Sequence, residues 1–270
     1  MLSMIRRGVG FSRKVLISIE RNTDLRRWSG TTAGNASSTA EIGHLLVVKK
    51  VEYVPISKVC VESFLHYNPR SKVILHSDEF TYARLLQSFQ NRIKSKQVEV
   101  RETFVSANLT WQECKVEILL SMNGTSDFFM DADLRWNGPK PSRDGIQFFV
   151  QEFDMLDKSP YRQLVRSAMP KYENGTHMRN TSYFSFGGIR IRDAECALVT
   201  QFHRNFRTLL GLADLGSADE LILSRLSEQI AFSVLADRWR VPIAFLKEVD
   251  SHRDGAFVES SYFGATGSSF

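Results

Sequence analysis

Between residues 44 and 133 short apolar runs alternate with longer segments of helical spacing, and that alternation leaves few folds open. His44–Val51 reads as a strand, Pro55–Tyr67 as a helix ended by Asn68-Pro69, and Lys72–His76 as a short buried strand. Glu79–Ile93 has helical spacing, Gln97–Glu102 alternates as a strand should, and Trp111–Met122 is a helix stopped at Asn123-Gly124, where glycine suits a left-handed cap. Ser126–Asp133 is then a fourth strand. This order predicts an α/β fold with a mostly parallel central sheet and helices on both faces. Connections in such sheets are right-handed, and ligands collect at the carboxyl ends of the strands. The second half is less regular. Thr181–Ile191 reads as a strand and Ala194–Leu210 as an amphipathic helix. Ser217-Ala218-Asp219-Glu220 is a capping box opening a short helix to about Leu226. Ser227 caps a further helix through Asp237, Val241–Leu246 is a last strand, and the tail from His252 is rich in glycine and aromatics.

The composition, 43% hydrophobic and 24% charged over 270 residues, is globular. No apolar run approaches the 18 or so residues of a membrane-spanning helix. Three cysteines, Cys60, Cys114 and Cys196, are too few and too scattered for a disulfide framework or a zinc site. A pI of about 9.1 invites a nucleic-acid reading, but residues 1–40 hold seven basic and two acidic side chains, so the whole net charge of +5 resides there. The remainder is neutral, and no specific nucleic-acid partner is expected. Residues 1–40 are read as a basic extension of presequence-like composition, and 41–270 as a single catalytic domain.

The chemistry concentrates in Asp127-Phe128-Phe129-Met130-Asp131-Ala132-Asp133. An apolar strand runs into two carboxylates spaced i, i+2 where the strand should end. Such a pair repels unless a cation sits between its members, and a hard divalent ion with oxygen ligands, Mn²⁺ or Mg²⁺, meets that need and commonly brings a diphosphate. A bare Asp-x-Asp is also a common surface feature; its place at the carboxyl edge of the fourth strand favours the metal. Lys115 lies at the edge of the apolar stripe Trp111, Cys114, Ile118, Met122 on the helix that feeds this strand. Its ammonium either snorkels to water or approaches the aspartate pair or a phosphate.

On these residues the chain resembles the GT-A fold nucleotide-sugar transferases, closest in motif order to glycosyltransferase family 8 and its relatives, over residues 44–265. The strand with Asp131 and Asp133 looks like the family's metal-binding motif, Ala132 included, and Lys115 like its inward basic residue. Thr181–Gly188 resembles the "Asn-x-Gly-φ-φ" strand of the sugar pocket, with Gly187 and Gly188 as donor-binding candidates and Ser185-Phe186-Gly187 standing in place of Asn-x-Gly. Leu226–Phe232 resembles a helix start whose Glu228 and Gln229 would face the transferred sugar. His252 in His252-Arg253-Asp254-Gly255 loosely matches a third metal ligand, with Asp254 as a substitute, and no C-terminal lysine matches the family's diphosphate-binding one. The resemblance implies a metal-dependent glycosyltransferase that uses a nucleoside-diphosphate sugar, UDP-sugars being favoured by the family alone, with the acceptor open. Glu228 is a candidate base for an inverting enzyme and Gln229 a sugar contact for a retaining one. Asp78 past the second strand and Val47 and Val48 at the end of the first are further donor-binding candidates; a helix cap and core packing are the competing readings.

Two other classes fit part of the pattern. Haloacid-dehalogenase-type phosphatases also place Asp-x-Asp after an apolar strand, but on the first strand of the fold, and with Thr or Val where this chain has Arg135. A non-catalytic nucleotide-sugar-binding domain of the same fold is consistent with the imperfect C-terminal motif. Five of ten asparagines (Asn35, Asn108, Asn123, Asn174, Asn180) lie in Asn-x-Ser/Thr sequons. With no signal or anchor visible, a cytoplasmic location with unused sequons is expected.

Overall fold

Leu45, Leu46, Val47 and Val48 are consecutive and each at most 4% exposed, which only a strand covered on both faces allows. They lie in and just past the central strand of the structure, a computed structural model that describes residues 41–104, 110–154, 177–212, 227–246 and 258–260. The described elements are β1 (Ile42–Val47), α1 (Tyr53–Tyr67), β2 (Lys72–Asp78), α2 (Tyr82–Ser88), α3 (Gln90–Lys94), β3 (Val98–Phe104), α4 (Trp111–Ser121), β4 (Phe128–Met130), β5 (Leu134–Trp136), β6 (Ile146–Phe148), β7 (Gln151–Asp154), β8 (His177–Arg179), β9 (Tyr183–Ser185), α5 (Asp193–Leu212), α6 (Ser227–Ala236), β10 (Ile243–Phe245) and β11 (Val258–Ser260).

Seven strands form one sheet in the order β3-β2-β1-β4-β9-β6-β10. β1 is parallel to β2 and β4, β2 to β3, and β6 to β10, while β9 runs antiparallel to both its neighbours. The mostly parallel α/β sheet expected from the sequence is the one found. Successive residues of β1 feed two separate cores. Leu45 and Val47 pack with Phe64 and Leu65 of α1 and Leu85 of α2. Leu46 and Val48 face the other core, with Ile118 and Leu119 of α4, Phe202 and Phe206 of α5, and Phe232 of α6. Among the described residues no helix is long and apolar enough to cross a membrane.

Several elements differ in extent from their sequence patterns. The helix expected over Glu79–Ile93 is two helices broken at Phe89, which is 1% exposed and turns out of helical geometry to reach the core. The strand expected over Ser126–Asp133 is only Phe128–Met130, because the chain turns at Asp131, whose carbonyl accepts from Leu134 N–H at 3.2 Å. The strand expected over Thr181–Ile191 stops at Ser185, before the left-handed pair Gly187 (φ +59°) and Gly188 (φ +80°). The helix expected from Ser217 to Leu226 and the tail from His252 onward, apart from β11, fall outside the described residues, like residues 1–40.

Gly187 sits where no side chain fits: a Cβ there would lie 2.3 Å from the Gly145 carbonyl oxygen, at a positive φ that L residues avoid. Gly187→Ala is therefore expected to destabilise the chain by about 1–3 kcal/mol in urea unfolding; an unchanged midpoint would mean that the turn opens freely.

Candidate active site

In the strand order, chain progress runs outward from β1 through β2 to β3 on one side and passes to β4 on the other. The carboxyl ends of β1 and β4 thus flank the point where the winding reverses, the place where open α/β sheets form a crevice. Asp131 directly follows β4 at that edge. Its N–H donates to Ser182 O at 2.7 Å, tying the turn to the start of β9.

Three elements converge on Asp131. Helix α4 is opened by Thr110, whose hydroxyl accepts from Glu113 N–H at 3.3 Å while the Glu113 carboxylate accepts from Thr110 N–H at 2.7 Å. One turn on, Lys115 is fully buried, its ammonium 5.1 Å from the ring centroids of both Trp111 and Phe129. Lys115 Nζ donates to both oxygens of Asp131, at 2.9 and 3.0 Å, and lies 3.5 Å from Oε1 of Glu228 at the start of α6. Of the two readings of Lys115, snorkelling to water is excluded and approach to the aspartate pair holds.

The electrostatics follow from burial. Burial alone would lower the Lys115 pKa, but Asp131 and then Glu228 reverse this and the net shift is upward. Glu228 moves from 4.5 to about 7, raised chiefly by burial, with Lys115 opposing and Asp131 adding to the rise. Asp133 moves from 3.8 to about 6, through burial and then the neighbouring Asp131. Cys60, wholly buried, is pushed well above its ordinary value by burial, then by Asp133 and Asp131. One ammonium thus faces three carboxyl groups. Neither oxygen of Glu228 makes a hydrogen bond, and Oε1 of Gln229, a residue 8% exposed, has no partner either.

Asp131 and Asp133 offer hard carboxylate oxygens two residues apart, and this donor chemistry fits part of the ligand shell of Mg²⁺ or Mn²⁺. Among the described residues no group of three His, Cys, Asp or Glu side chains is arranged to hold a metal. His252 and Asp254 lie outside the described residues.

The other sequence candidates are placed as follows. Ala132 is 6% exposed and belongs to the core on the α1 side. Val47 and Val48 are core residues at the end of β1. Asp78 is fully buried at the end of β2; Oδ2 accepts from Lys49 N–H at 2.7 Å and Oδ1 from Thr81 N–H and hydroxyl at 3.1 and 2.9 Å. Its carboxylate thus braces two strand ends and the turn before α2, whose N-cap is Thr81 rather than Asp78. Gly187 and Gly188 are not brought to Asp131. Because β9 is antiparallel, they emerge at the opposite edge of the sheet, where Gly188 N–H donates to Thr125 O at 2.8 Å. The part of β9 that reaches the site is its beginning. There Asn180-Thr181-Ser182-Tyr183-Phe184 fits the Asn-x-Gly-φ-φ pattern with Ser for Gly, a signal present in the sequence five residues upstream of Ser185. Trp136, at 1% exposure, packs edge-on to Phe64, Phe128 and Tyr183 in the core on the α1 side. The Asp-x-Asp motif directly follows the fourth strand, not the first as in the phosphatase pattern.

No protein-family model and no curated protein matches the sequence. Among solved structures the chain is similar to the bifunctional glycosyltransferase WbbM, with a TM-score of 0.50 at 9% identity, over 78% of this chain and 39% of that one. It is also similar to the galactosyltransferase LgtC in complex with donor and acceptor sugar analogues (TM-score 0.44, 8% identity, 72% of this chain and 70% of that one). The glycosyltransferase GlyE of Streptococcus pneumoniae TIGR4 gives 0.40 at 10% identity, over 70% and 43%. At such identities the likeness is one of fold: the GT-A-like architecture expected from the motif order is the architecture present. The chain matches well under two thirds of WbbM's length.

The raised carboxyls give a test of the cluster. A folded-state pKa of about 7 for Glu228, above its ordinary 4.5, means the folded chain holds that proton more tightly than the unfolded one. Its contribution to stability is full below pH 4.5 and is lost as pH rises towards 7. Asp133 acts likewise between about 3.8 and 6. His76 and His203, lowered to about 3 and about 4 mainly by burial, act in the opposite sense below pH 6.5. The readout is therefore the difference in stability between wild type and Glu228→Gln, in which the histidines cancel. It should fall between pH 6 and 7 with a slope approaching ~1.4 kcal/mol per pH unit at most. A flat difference would show that Glu228 does not titrate there.

Proposed function

We propose that this chain is a glycosyltransferase that takes its sugar from a nucleoside diphosphate, with a divalent cation, Mn²⁺ or Mg²⁺, held by Asp131 and Asp133. The observation that carries the reading is the buried Lys115–Asp131–Glu228 cluster at the reversal point of the sheet. Enclosing an ammonium among carboxylates costs desolvation that packed apolar side chains of the same volume would avoid. Its retention at the crevice edge argues for a polar ligand rather than for stability. A solvated pair of loop aspartates, the bland alternative, would have no reason to recruit a lysine and a glutamate from two separate helices.

The chain's own residues divide the work. Asp131, beside Lys115, and Asp133 would supply hard oxygens to the ion, and His252 or Asp254 is proposed to complete the set. When bound, the ion acts as Lewis acid on the departing diphosphate. Lys115, fixed by two rings, supplies a positive charge that need not reorganise as negative charge develops on the leaving group. Glu228 and Gln229 grip the transferred sugar: both are buried at the start of α6, and their carboxyl and amide oxygens make no hydrogen bond within the chain. The complete burial of Glu228 suits it to that grip better than to deprotonating an acceptor that arrives from solvent.

The test is a thermal-shift panel of UDP, GDP, CMP and ADP, each with and without Mn²⁺, on the full chain. A Mn²⁺-dependent rise for one nucleoside diphosphate is expected, and Asp131→Asn and Asp133→Asn should abolish it along with transfer while leaving a folded protein. Retained metal-dependent binding in the double variant would overturn the assignment of the two aspartates. A flat panel for folded wild type would favour a non-catalytic role.

Lys115→Met keeps the stem and removes the charge. It should reduce kcat by at least about tenfold, while nucleoside diphosphate still binds with Mn²⁺; the loss reflects a donor acting mainly on developing charge. An unchanged kcat would remove Lys115 from the mechanism.

A further inference from the structure

Helix α1 runs beneath the turn that carries the two aspartates, and it holds that turn by polar contacts at both ends. At one end the Cys60 thiol donates to the Asp131 carbonyl oxygen across 3.4 Å. At the other, Ser63 Oγ accepts from Trp136 N–H at 3.0 Å. The Ser63 hydroxyl proton is committed to the Cys60 carbonyl at 2.9 Å, so toward Trp136 this oxygen acts only as an acceptor and the direction of the contact is fixed. Cys60 and Ser63 are three residues apart, hence neighbours on one face of the helix. One helical turn therefore spans the six-residue segment Asp131–Trp136, in which Asp133 stands between the two attachment points.

We infer that Cys60 and Ser63 are positioning residues, which clip the Asp131–Trp136 segment to α1 and so fix the relative placement of the Asp131 and Asp133 carboxylates for a divalent cation. This rests on the reading of those aspartates as cation ligands. Neither side chain is required to touch substrate or ion. Apolar packing alone does not supply the same constraint. Trp136 against Phe64, Phe128 and Tyr183 anchors the far end of the segment by area, which tolerates small sliding. The hydrogen bonds at Asp131 O and Trp136 N set where the backbone stops, in the way that polar groups behind metal ligands orient them.

The experiment uses the full chain and three variants: Ser63→Ala, Cys60→Val and the conservative Cys60→Ser. Mn²⁺ is titrated calorimetrically in saturating UDP and, in a parallel arm, in GDP; amide hydrogen exchange is followed across residues 131–136 with no ion present. Ser63→Ala and Cys60→Val should weaken apparent Mn²⁺ affinity about tenfold, the lower end of what removing such support costs. Cys60→Ser, which keeps a donor, should stay within about twofold of wild type. Exchange at the Trp136 amide should quicken in Ser63→Ala while distant strands keep their protection. Unchanged Mn²⁺ affinity in both Ser63→Ala and Cys60→Val, or unchanged exchange at Trp136 in Ser63→Ala, would overturn the inference. If wild type itself takes up no Mn²⁺ in either arm, the ligand reading of the aspartates fails first. The exchange measurement then still reports whether the clip holds the turn.

Discussion

An ammonium with no exposed surface has to be neutralised where it lies, since removing it from water costs several kcal/mol even after relaxation. Lys115 meets that demand with two oxygens of Asp131, the Glu228 carboxyl and the faces of Trp111 and Phe129. Each partner comes from a different stretch of chain, so the charge fixes the mutual placement of α4, β4 and α6. Helix α5 braces the arrangement from behind. Arg207 donates to Thr110 Oγ1 and pairs with Glu113 at 3.1 Å, gripping the capping box of α4, while one turn earlier His203 Nε2 lies 3.0 Å from Ser227 Oγ beside Glu228. The helix starts that deliver Lys115 and Glu228 are thus held by one face of a third helix.

Elsewhere the same sheet buries polar groups to a different end. Asp127, His44, His76 and Thr103 form a row across four strands. His44 Nε2 lies 3.5 Å from Asp127 Oδ2, His44 Nδ1 lies 2.9 Å from His76 Nε2, and His76 Nδ1 lies 2.9 Å from Thr103 Oγ1. His44, His76 and Thr103 bond to one another in sequence, while His44 Nε2 stays in ion-pair range of Asp127 without a hydrogen bond, and the row reads as a brace between strands. The cluster at Asp131 leaves the Glu228 oxygens and Gln229 Oε1 without hydrogen bonds. Buried polarity that closes on itself favours the fold, whereas polarity left open at a crevice favours a ligand.

Period and order were legible in the sequence wherever the chain obeys one local rule at a time. The apolar runs at Leu45–Val48 and Val73–Leu75 can only be covered strands, and the four-strand alternation set the parallel half of the sheet. The carboxylates after Met130 stood out because strand ends are where such sheets bind ligands, and Lys115 because a cation sat on the edge of an apolar stripe. What escaped was set by direction and by distance along the chain. That β9 runs antiparallel follows from pairing with β4 and β6, not from Thr181–Ile191 itself. This reversal sends Gly187 and Gly188 away from the site and brings Asn180–Ser182 to it. Cys60 and Ser63 lie some 70 residues before the turn they hold, on a helix whose pattern declares only an apolar face.

The unpartnered oxygens at the start of α6 bear on how the proposed reaction would discriminate among ligands. A buried acceptor without a donor costs about 1–3 kcal/mol, and Glu228 and Gln229 carry several such oxygens within one helical turn. A ligand presenting hydroxyl donors at the right spacing relieves that cost, whereas an analogue lacking one leaves it standing and is rejected by far more than its missing contact surface would suggest. Lys115 bears on the same point, because its ammonium donates to Asp131 and lies within ion-pair range of Glu228 Oε1, so Glu228 and Asp131 share one positive charge. In the proposed reaction, a grip on the sugar at α6 and a charge beside the diphosphate would thus be linked through a single nitrogen. On that reading, a ligand hydroxyl that engages Glu228 would compete with Lys115 for the same carboxyl and so alter the field at Asp131.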